Sequence, residues 1–163
     1  MSPDHVVTCP NPGAQGGGLD SAPGTYALIF RCLVHATEPV GKLGNIEVEP
    51  AYYLYVGSAF GPGGVKSRVM RHCRQEKKKH WHLDYLCPYL HPDTVWFSHD
   101  AGRLEHRWAR RLATLTDLRA IDGFGCSDCA CRSHLFRSRV RPQLSWLSNA
   151  EKVPLETMRL GRS

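Results

Sequence analysis

Five side chains in this sequence have the types that phosphodiester hydrolysis requires. They are two tyrosines, an arginine, a histidine and a glutamate: Tyr26, Tyr55, Arg68, His72 and Glu105. A guanidinium matches the oxygens of a phosphoryl transition state, and a phenol or an imidazole can take a proton from water. One carboxylate together with waters can hold Mg²⁺, which polarises a phosphate. These residue types are therefore compatible with metal-assisted cleavage of a phosphodiester.

The spacing of these residues favours a common site. Arg68 and His72 are four residues apart, which puts both on one face of a helix predicted over residues 65–73. They flank its apolar stripe, and Glu105 follows Leu104 at the edge of a second such stripe. Taken singly, each residue has a structural alternative. A tyrosine suits a strand, an arginine can lay its stem on a core, and a glutamate stabilises a helix N-terminus.

The elements that must position these residues are predicted by hydrophobic periodicity. Strand-like segments cover residues 24–34, 51–57 and 93–99, and helical patterns cover 65–73, 80–87 and 103–115. Residues 36–50 contain two prolines and two glycines, which indicate a hairpin or a long loop. This order predicts an α/β (α+β) fold with a small, mostly antiparallel three-stranded sheet, a possible extra hairpin and flanking helices.

Composition predicts one domain between two tails. Residues 1–22 are rich in proline, glycine and serine, so we expect a flexible tail there. We expect the folded domain over residues 23–148 and a C-terminal tail over residues 149–163. The seven cysteines and the absence of a secretory leader predict an intracellular, cytoplasmic or DNA-associated protein with reduced thiols, and no segment predicts a membrane partner.

The charge distribution predicts a nucleic-acid partner. The net charge is +6, from 21 lysines and arginines against 15 acidic residues. Such a surplus suits a polyanion, DNA more than RNA, although it can equally serve solubility. No base-reading motif is visible, so we expect recognition of nucleic-acid structure rather than sequence. The residues that we predict to contact nucleic acid lie on the first helix and just after it: Lys66, Arg71, Arg74, Lys78, Lys79, His80 and His82.

Four motifs carry a resemblance to a known family. The segments GTY at residues 24–26 and YVG at residues 55–57 resemble the two halves of the GIY-YIG nuclease signature. The chain is most similar to a branch catalogued as domain of unknown function 123. The resemblance extends from about residue 24 to residue 136, and it rests on the blocks YLYVGSAFGPGGVKSRVMRHCR, KKKHWHLDYL, LEHRWARRL and GFGCSDCACRSHLF.

The resemblance implies a function and a role for each candidate residue. It implies a metal-dependent endonuclease acting on DNA, with a repair or processing role. Tyr26 or Tyr55 would activate or orient the attacking water, and Arg68 would stabilise the pentacovalent phosphate. His72 would shuttle a proton or bind phosphate, and Glu105 would hold one Mg²⁺ or Mn²⁺ ion. The alternative is a module that binds nucleic acid through the same basic face without cutting it.

A second group of metal-binding side chains lies in the segment GFGCSDCACRSHLF. Cys129, Cys131 and His134 could ligate zinc, with Cys126 nearby. The spacing argues against zinc, because two cysteines separated by one residue direct their thiols poorly to one metal. We therefore expect a structured loop beside the active cleft. A zinc site and a redox role for Cys129 and Cys131 are the alternatives.

Overall fold

The computed structural model describes residues 19–127, 129–149 and 151–160. Within these segments the chain forms eight strands and four α-helices. In chain order they are β1 (Gly24–Cys32), β2 (Ala36–Pro39), β3 (Asn45–Val48), β4 (Ala51–Ala59), α1 (Gly64–Cys73), α2 (His82–Leu86), β5 (His91–Ser98), α3 (Glu105–Ala113), β6 (Arg119–Ala120), β7 (Leu135–Ser138), α4 (Ser145–Ser148) and β8 (Glu156–Arg159).

The three strands predicted from the sequence form the centre of the main sheet. The strand order is β6-β7-β4-β1-β5-β8, and β2 pairs with β3 in a separate hairpin. All the strand pairs among the described residues are antiparallel. The predicted fold class is confirmed, and so is the hairpin. The sheet is wider than predicted, because three short strands extend it at both edges.

Successive apolar residues in the central strands point to opposite faces of the sheet, so both faces are buried. On β1, Leu28 and Phe30 pack with Val65 and Val69 of α1 and with the apolar residues of α2. The intervening residues of β1 pack on the other face against α3 and α4, where Trp108 is fully buried. Helices therefore cover both faces, which explains why the strands read as nearly continuous apolar runs.

The two predicted tails differ in structure. Residues 1–18 of the predicted N-terminal tail lie outside the described residues, whereas residues 19–22 contact the start of α1. The predicted C-terminal tail contains β8, which pairs with β5 over four residues. Leu160 is buried just after it. That segment holds too few apolar residues to show a strand pattern, and the open edge of β5 supplies its hydrogen bonds. No helix of the described segments is long and apolar enough to cross a bilayer.

Candidate active site

The register of β1 and β4 brings the two candidate tyrosines onto one face of the sheet. Tyr26 lies opposite Gly57, and Tyr55 lies opposite Leu28. Both tyrosines contact the apolar cluster under α1. A Cβ atom on Gly57 would lie 2.4 Å from the Tyr26 hydroxyl oxygen, which is far inside contact distance. Glycine at position 57 therefore leaves the space over β4 that the Tyr26 hydroxyl occupies.

Helix α1 carries His72 to these tyrosines. The helix begins with two positive φ angles, 83° at Gly63 just before α1 and 59° at Gly64, its first residue. A Cβ atom on Gly64 would lie 2.1 Å from the Ser21 carbonyl oxygen. The backbone before β1 therefore packs against α1 at this position only because residue 64 is a glycine. At the other end of α1, the His72 Nε2 atom forms a 2.9 Å hydrogen bond with the hydroxyl of Tyr26. The imidazole centre is 5.6 Å from that of the Tyr55 ring.

His72 is an interior residue with an incomplete set of hydrogen bonds. It is 2% exposed, and its Nδ1 atom has no partner among the described residues. Burial lowers the pKa of His72 to about 3, and the nearby Lys77 ammonium adds to the effect. The imidazole is therefore neutral at physiological pH and can accept a hydrogen bond from Tyr26.

An aromatic ring fixes the position of Arg68. The Arg68 guanidinium lies 4.5 Å from the ring centre of Trp81, and the Arg71 guanidinium lies 4.1 Å from the same ring. Asp84 holds this stack together. Its carboxylate accepts two 2.9 Å hydrogen bonds from Arg71 and further bonds from the backbone N–H groups of His80 and Trp81. Trp81 was not among the sequence-predicted site residues, although it lies between two histidines in the motif KKKHWHLDYL.

The Asp84 carboxylate is stabilised in its ionised form. Burial opposes ionisation, but the Arg71 fork and the two backbone N–H donors outweigh it and hold the pKa of Asp84 at about 2. Asp84 therefore joins α1 to the segment before α2 as a permanent anion.

Both tyrosines are neutral phenols in this environment. Burial raises the pKa of Tyr26 well above its usual value, and the adjacent Tyr55 contributes in the same direction. Burial also raises the pKa of Tyr55, followed by the negative charge of Glu105. The positive charge of Arg68 opposes these shifts at both hydroxyls. Arg68 and Glu105 are thus close enough to both phenols to act on them electrostatically.

Glu105 reaches this group from the opposite face of the sheet. It is the first residue of α3, and its carboxylate accepts hydrogen bonds from His134 and from the hydroxyl of Ser58 on β4. The Glu105 Oε1 atom is 3.2 Å from His134 Nδ1. Burial opposes ionisation of Glu105, but these contacts outweigh it and lower its pKa. Strand β7 pairs with Tyr52–Tyr55 of β4, and the chain just before β7 continues along that edge, because the Val56 N–H donates to the His134 carbonyl at 2.9 Å.

The predicted nucleic-acid-binding residues divide into two groups. Arg74, Lys78, Lys79 and His80 are exposed. Lys66 and Arg71 are half-buried, and Arg71 is paired with Asp84. His82 is also half-buried, and its Nδ1 atom accepts a 3.0 Å hydrogen bond from the Gly125 backbone N–H. The exposed group continues from the end of α1 along the segment that leads to Trp81.

A cluster of cysteine and histidine side chains lies beside Glu105. Its members are His106, Cys129, Cys131 and His134, hereafter the Cys/His cluster, and their ligand atoms all lie within 4.8 Å of one another. These residues could bind a metal ion, and two thiols with two imidazoles are more typical of zinc than of magnesium. The spacing argument did not consider α3, which supplies a fourth side chain from outside the loop, and the expectation that zinc does not bind stays a prediction. His106 was missed, although it directly follows the predicted site residue Glu105.

The comparisons with known proteins define the family. The model of the family described as domain of unknown function DUF123 matches residues 25–153. The chain therefore belongs to this family, which confirms the branch that the sequence motifs resemble. Searches of curated proteins and of solved structures give no match. The relation to GIY-YIG nucleases stays a prediction.

Proposed function

We propose that the chain is a metal-dependent endonuclease of the GIY-YIG type that hydrolyses phosphodiester bonds in DNA. The observation that carries this proposal is the hydrogen bond between Tyr26 and the buried His72, with Tyr55 against the same imidazole. Arg68 and Glu105 act electrostatically on both hydroxyls. A buried tyrosine pair beside a cation and a carboxylate is costly to maintain for packing alone.

The two tyrosines have different access to a substrate. Tyr26 is 2% exposed, whereas Tyr55 is half-buried. We therefore assign to Tyr55 the contact with the attacking water, and to Tyr26 and His72 the task of holding Tyr55 in place. Because its pKa is raised, Tyr55 would act as a neutral phenol that orients the water. The stack on Trp81 would hold Arg68 ready for the non-bridging phosphate oxygens.

Glu105 fits a single hydrated Mg²⁺ or Mn²⁺ ion. Its pKa is lowered, so the carboxylate is anionic at neutral pH, and its two oxygens have lone-pair positions beyond the bonds from His134 and Ser58. Mg²⁺ commonly binds through one or two carboxylates and keeps several waters. A cation there would supply Lewis-acid stabilisation of the phosphate. Asp84 is a poorer ligand, because Arg71 and two backbone N–H groups already occupy its oxygens.

The exposed basic residues after α1 support a nucleic acid as substrate. Arg74, Lys78 and His80 are solvent-exposed on the segment that joins α1 to Trp81, the residue on which Arg68 stacks. Cationic side chains on an extended segment suit the backbone of a branched or flapped DNA better than base edges in a groove. We therefore propose structure-directed recognition, with a repair or processing role.

The test is a nicking assay on a panel of labelled DNAs: single strand, flap, branch and damaged duplex. The native chain with Mg²⁺ or Mn²⁺ should release product from at least one of them. Glu105→Gln and Arg68→Ala should each slow product formation by about 100-fold or more. Arg119→Ala removes a cation from the edge strand β6, far from the tyrosines, and should cleave at the native rate.

The alternative is a module that binds DNA without cutting it. Native chain that binds the panel with a steep salt dependence but never forms product would support this alternative and reject the nuclease. Undiminished cleavage by purified Glu105→Gln would equally reject the proposed site.

A further inference from the structure

The Cys/His cluster joins three parts of the chain around one point. His106 lies on the exposed side of α3, and its Nδ1 atom is 3.3 Å from the Cys131 sulfur. Across the cluster, the Cys129 sulfur is 3.3 Å from His134 Nε2. The two imidazoles face each other edge to face, with ring centres 5.6 Å apart. Each imidazole thus presents a ring nitrogen to a thiol.

The distances within the cluster are close to those around a tetrahedral zinc ion. Zn–S bonds of about 2.3 Å and Zn–N bonds of about 2.0 Å place neighbouring sulfur and nitrogen ligands roughly 3.5 Å apart. The two observed S···N distances are both 3.3 Å. The widest separation is within 4.8 Å, so the ligands need to approach by about 1 Å to close on a metal. Side-chain rotation of exposed His106 supplies such a movement.

The surroundings of His134 orient its ring as a metal ligand. The ring is nearly inaccessible to solvent, and its Nδ1 atom faces Glu105 Oε1 at 3.2 Å. The backbone is also held, because the His134 N–H donates to Phe124 and its carbonyl accepts from Val56. The Val56 carbonyl oxygen also lies 3.3 Å from Nδ1, so the Nδ1 proton is shared between two acceptors, Glu105 and Val56, and Nε2 is left to face Cys129. A carboxylate behind a histidine is the usual second layer of a zinc site.

We propose that His106, Cys129, Cys131 and His134 bind one Zn²⁺ ion. Four protein ligands leave no open position, so the ion is structural rather than catalytic. It ties the loop that contains Cys129 and Cys131 to the first turn of α3. It also fixes the imidazole that bonds Glu105. This site rests on geometry separate from the tyrosine pair and does not depend on nuclease activity.

The test measures metal binding in the full-length chain. Elemental analysis of protein purified without added metal should find one zinc per chain. After removal of the metal with a chelator, Co²⁺ should bind at one equivalent, with the intense thiolate-to-cobalt charge-transfer and visible bands of a tetrahedral site. His106→Asn should weaken Co²⁺ binding at least tenfold, and Cys131→Ser should abolish the charge-transfer band at stoichiometric Co²⁺.

Comparison of several variants separates metal ligation from folding and from the orienting role of Glu105. Exposed His106 can be replaced without loss of buried packing, so His106→Asn still reports if Cys131→Ser fails to fold. Glu105→Gln should weaken Co²⁺ binding about 10- to 100-fold through loss of the bond to His134. Cys32→Ser is the matched control, because the Cys32 thiol donates to the Val34 carbonyl at the end of β1 and lies outside the cluster. This variant should bind Co²⁺ as tightly as the native chain does.

Three results would overturn the zinc site. One is native chain without stoichiometric zinc and without a thiolate–cobalt band. Another is a disulfide between Cys129 and Cys131 in chain purified under anaerobic conditions. The third is loss of metal in Cys32→Ser with retention in Cys131→Ser. Because the readout is a metal spectrum, any of these leaves the nuclease proposal standing. Absence of DNA cleavage likewise leaves the zinc site standing.

Discussion

The buried imidazole of His72 should make the folded chain less stable in mild acid. In the folded chain, burial together with Lys77 holds the pKa of His72 at about 3. In the unfolded chain a histidine titrates near about 6.5. Between these values the unfolded chain binds a proton that the folded chain does not bind. The free energy of unfolding therefore falls as the pH falls from about 6.5 towards 3.

The size of this effect follows from the two pKa values. At about pH 5 the imidazole is almost fully protonated in the unfolded chain and neutral in the folded chain. His72 therefore lowers the free energy of unfolding by about 2 kcal/mol relative to about pH 7.5. The Asp84 carboxyl and the two phenols beside His72 keep their charge state in this window. Asp84 titrates well below it, at about 2, and the tyrosines titrate well above it. The groups that act on or contact His72 are Tyr26, Tyr55, Arg68, Arg71, Lys77 and Asp84.

Urea unfolding followed by far-ultraviolet circular dichroism measures this contribution. The native chain and His72→Gln are compared at about pH 7.5 and about pH 5. Glutamine does not titrate, and its amide can keep a bond to Tyr26. On acidification, the free energy of unfolding of the variant should therefore fall by about 2 kcal/mol less than that of the native chain. His91→Gln, which removes an exposed histidine on β5, is the control. If the difference in free energy of unfolding between the native chain and His72→Gln were the same at both pH values, the buried neutral imidazole would be refuted.

Two other substitutions test the supports of the site. Gly57→Ala places a Cβ atom 2.4 Å from the Tyr26 hydroxyl oxygen, so the ring must move. We expect a loss of about 1–3 kcal/mol in urea unfolding together with a loss of nicking. Asp84→Asn removes the charge that Arg71 pairs with. We expect it to cost about 1–3 kcal/mol and to change the tryptophan fluorescence as the stacked arginines loosen.

Each of these substitutions has a matched control in the chain. Gly61→Ala lies in the turn just after β4 with no atom within 4 Å of the added Cβ, so its unfolding midpoint and nicking rate should match the native values. Asp122→Asn breaks an ion pair with Arg132 in which both side chains are more than 60% exposed, at 72% and 63%. That loss should stay below about 0.5 kcal/mol. Equal effects in a test variant and its control would contradict the contacts assigned to Tyr26 or Asp84.

The central part of the fold could be predicted because its elements carry strong hydrophobic patterns. The three middle strands and helices α1 and α3 each bury a full face, so period-2 and period-3.6 patterns are visible in the sequence. Strands β6, β7 and β8 have only two to four residues and form at sheet edges. Their pairing is decided by the open edges of β4, β7 and β5, which no local pattern encodes.

The candidate site was predictable in its residue types but not in its supports. The motifs indicated Tyr26, Tyr55 and His72 as site residues. The register of β1 and β4 brings the two tyrosines onto one face, and α1 brings His72 to Tyr26. On a helix, the four-residue spacing of His80 and Asp84 would direct the carboxylate to the His80 imidazole. Instead it accepts the His80 backbone N–H and pairs with Arg71, because α2 begins only at His82. A sequence spacing cannot show which atom of a residue faces a partner.

The carboxylate of Glu105 explains how two kinds of chemistry can share one edge of the sheet. On one side it acts electrostatically on Tyr55, and on the other it accepts a hydrogen bond from His134. A carboxylate has two oxygens with about four lone-pair positions, so both contacts and a cation can be accommodated. Beyond Tyr55 the edge of β4 is followed by His134, and Glu105 of α3 reaches this edge through its bonds with His134 and Ser58. The Cys/His cluster and the tyrosine pair would therefore meet at one side chain, whose orientation is set by the loop that carries Cys129 and Cys131.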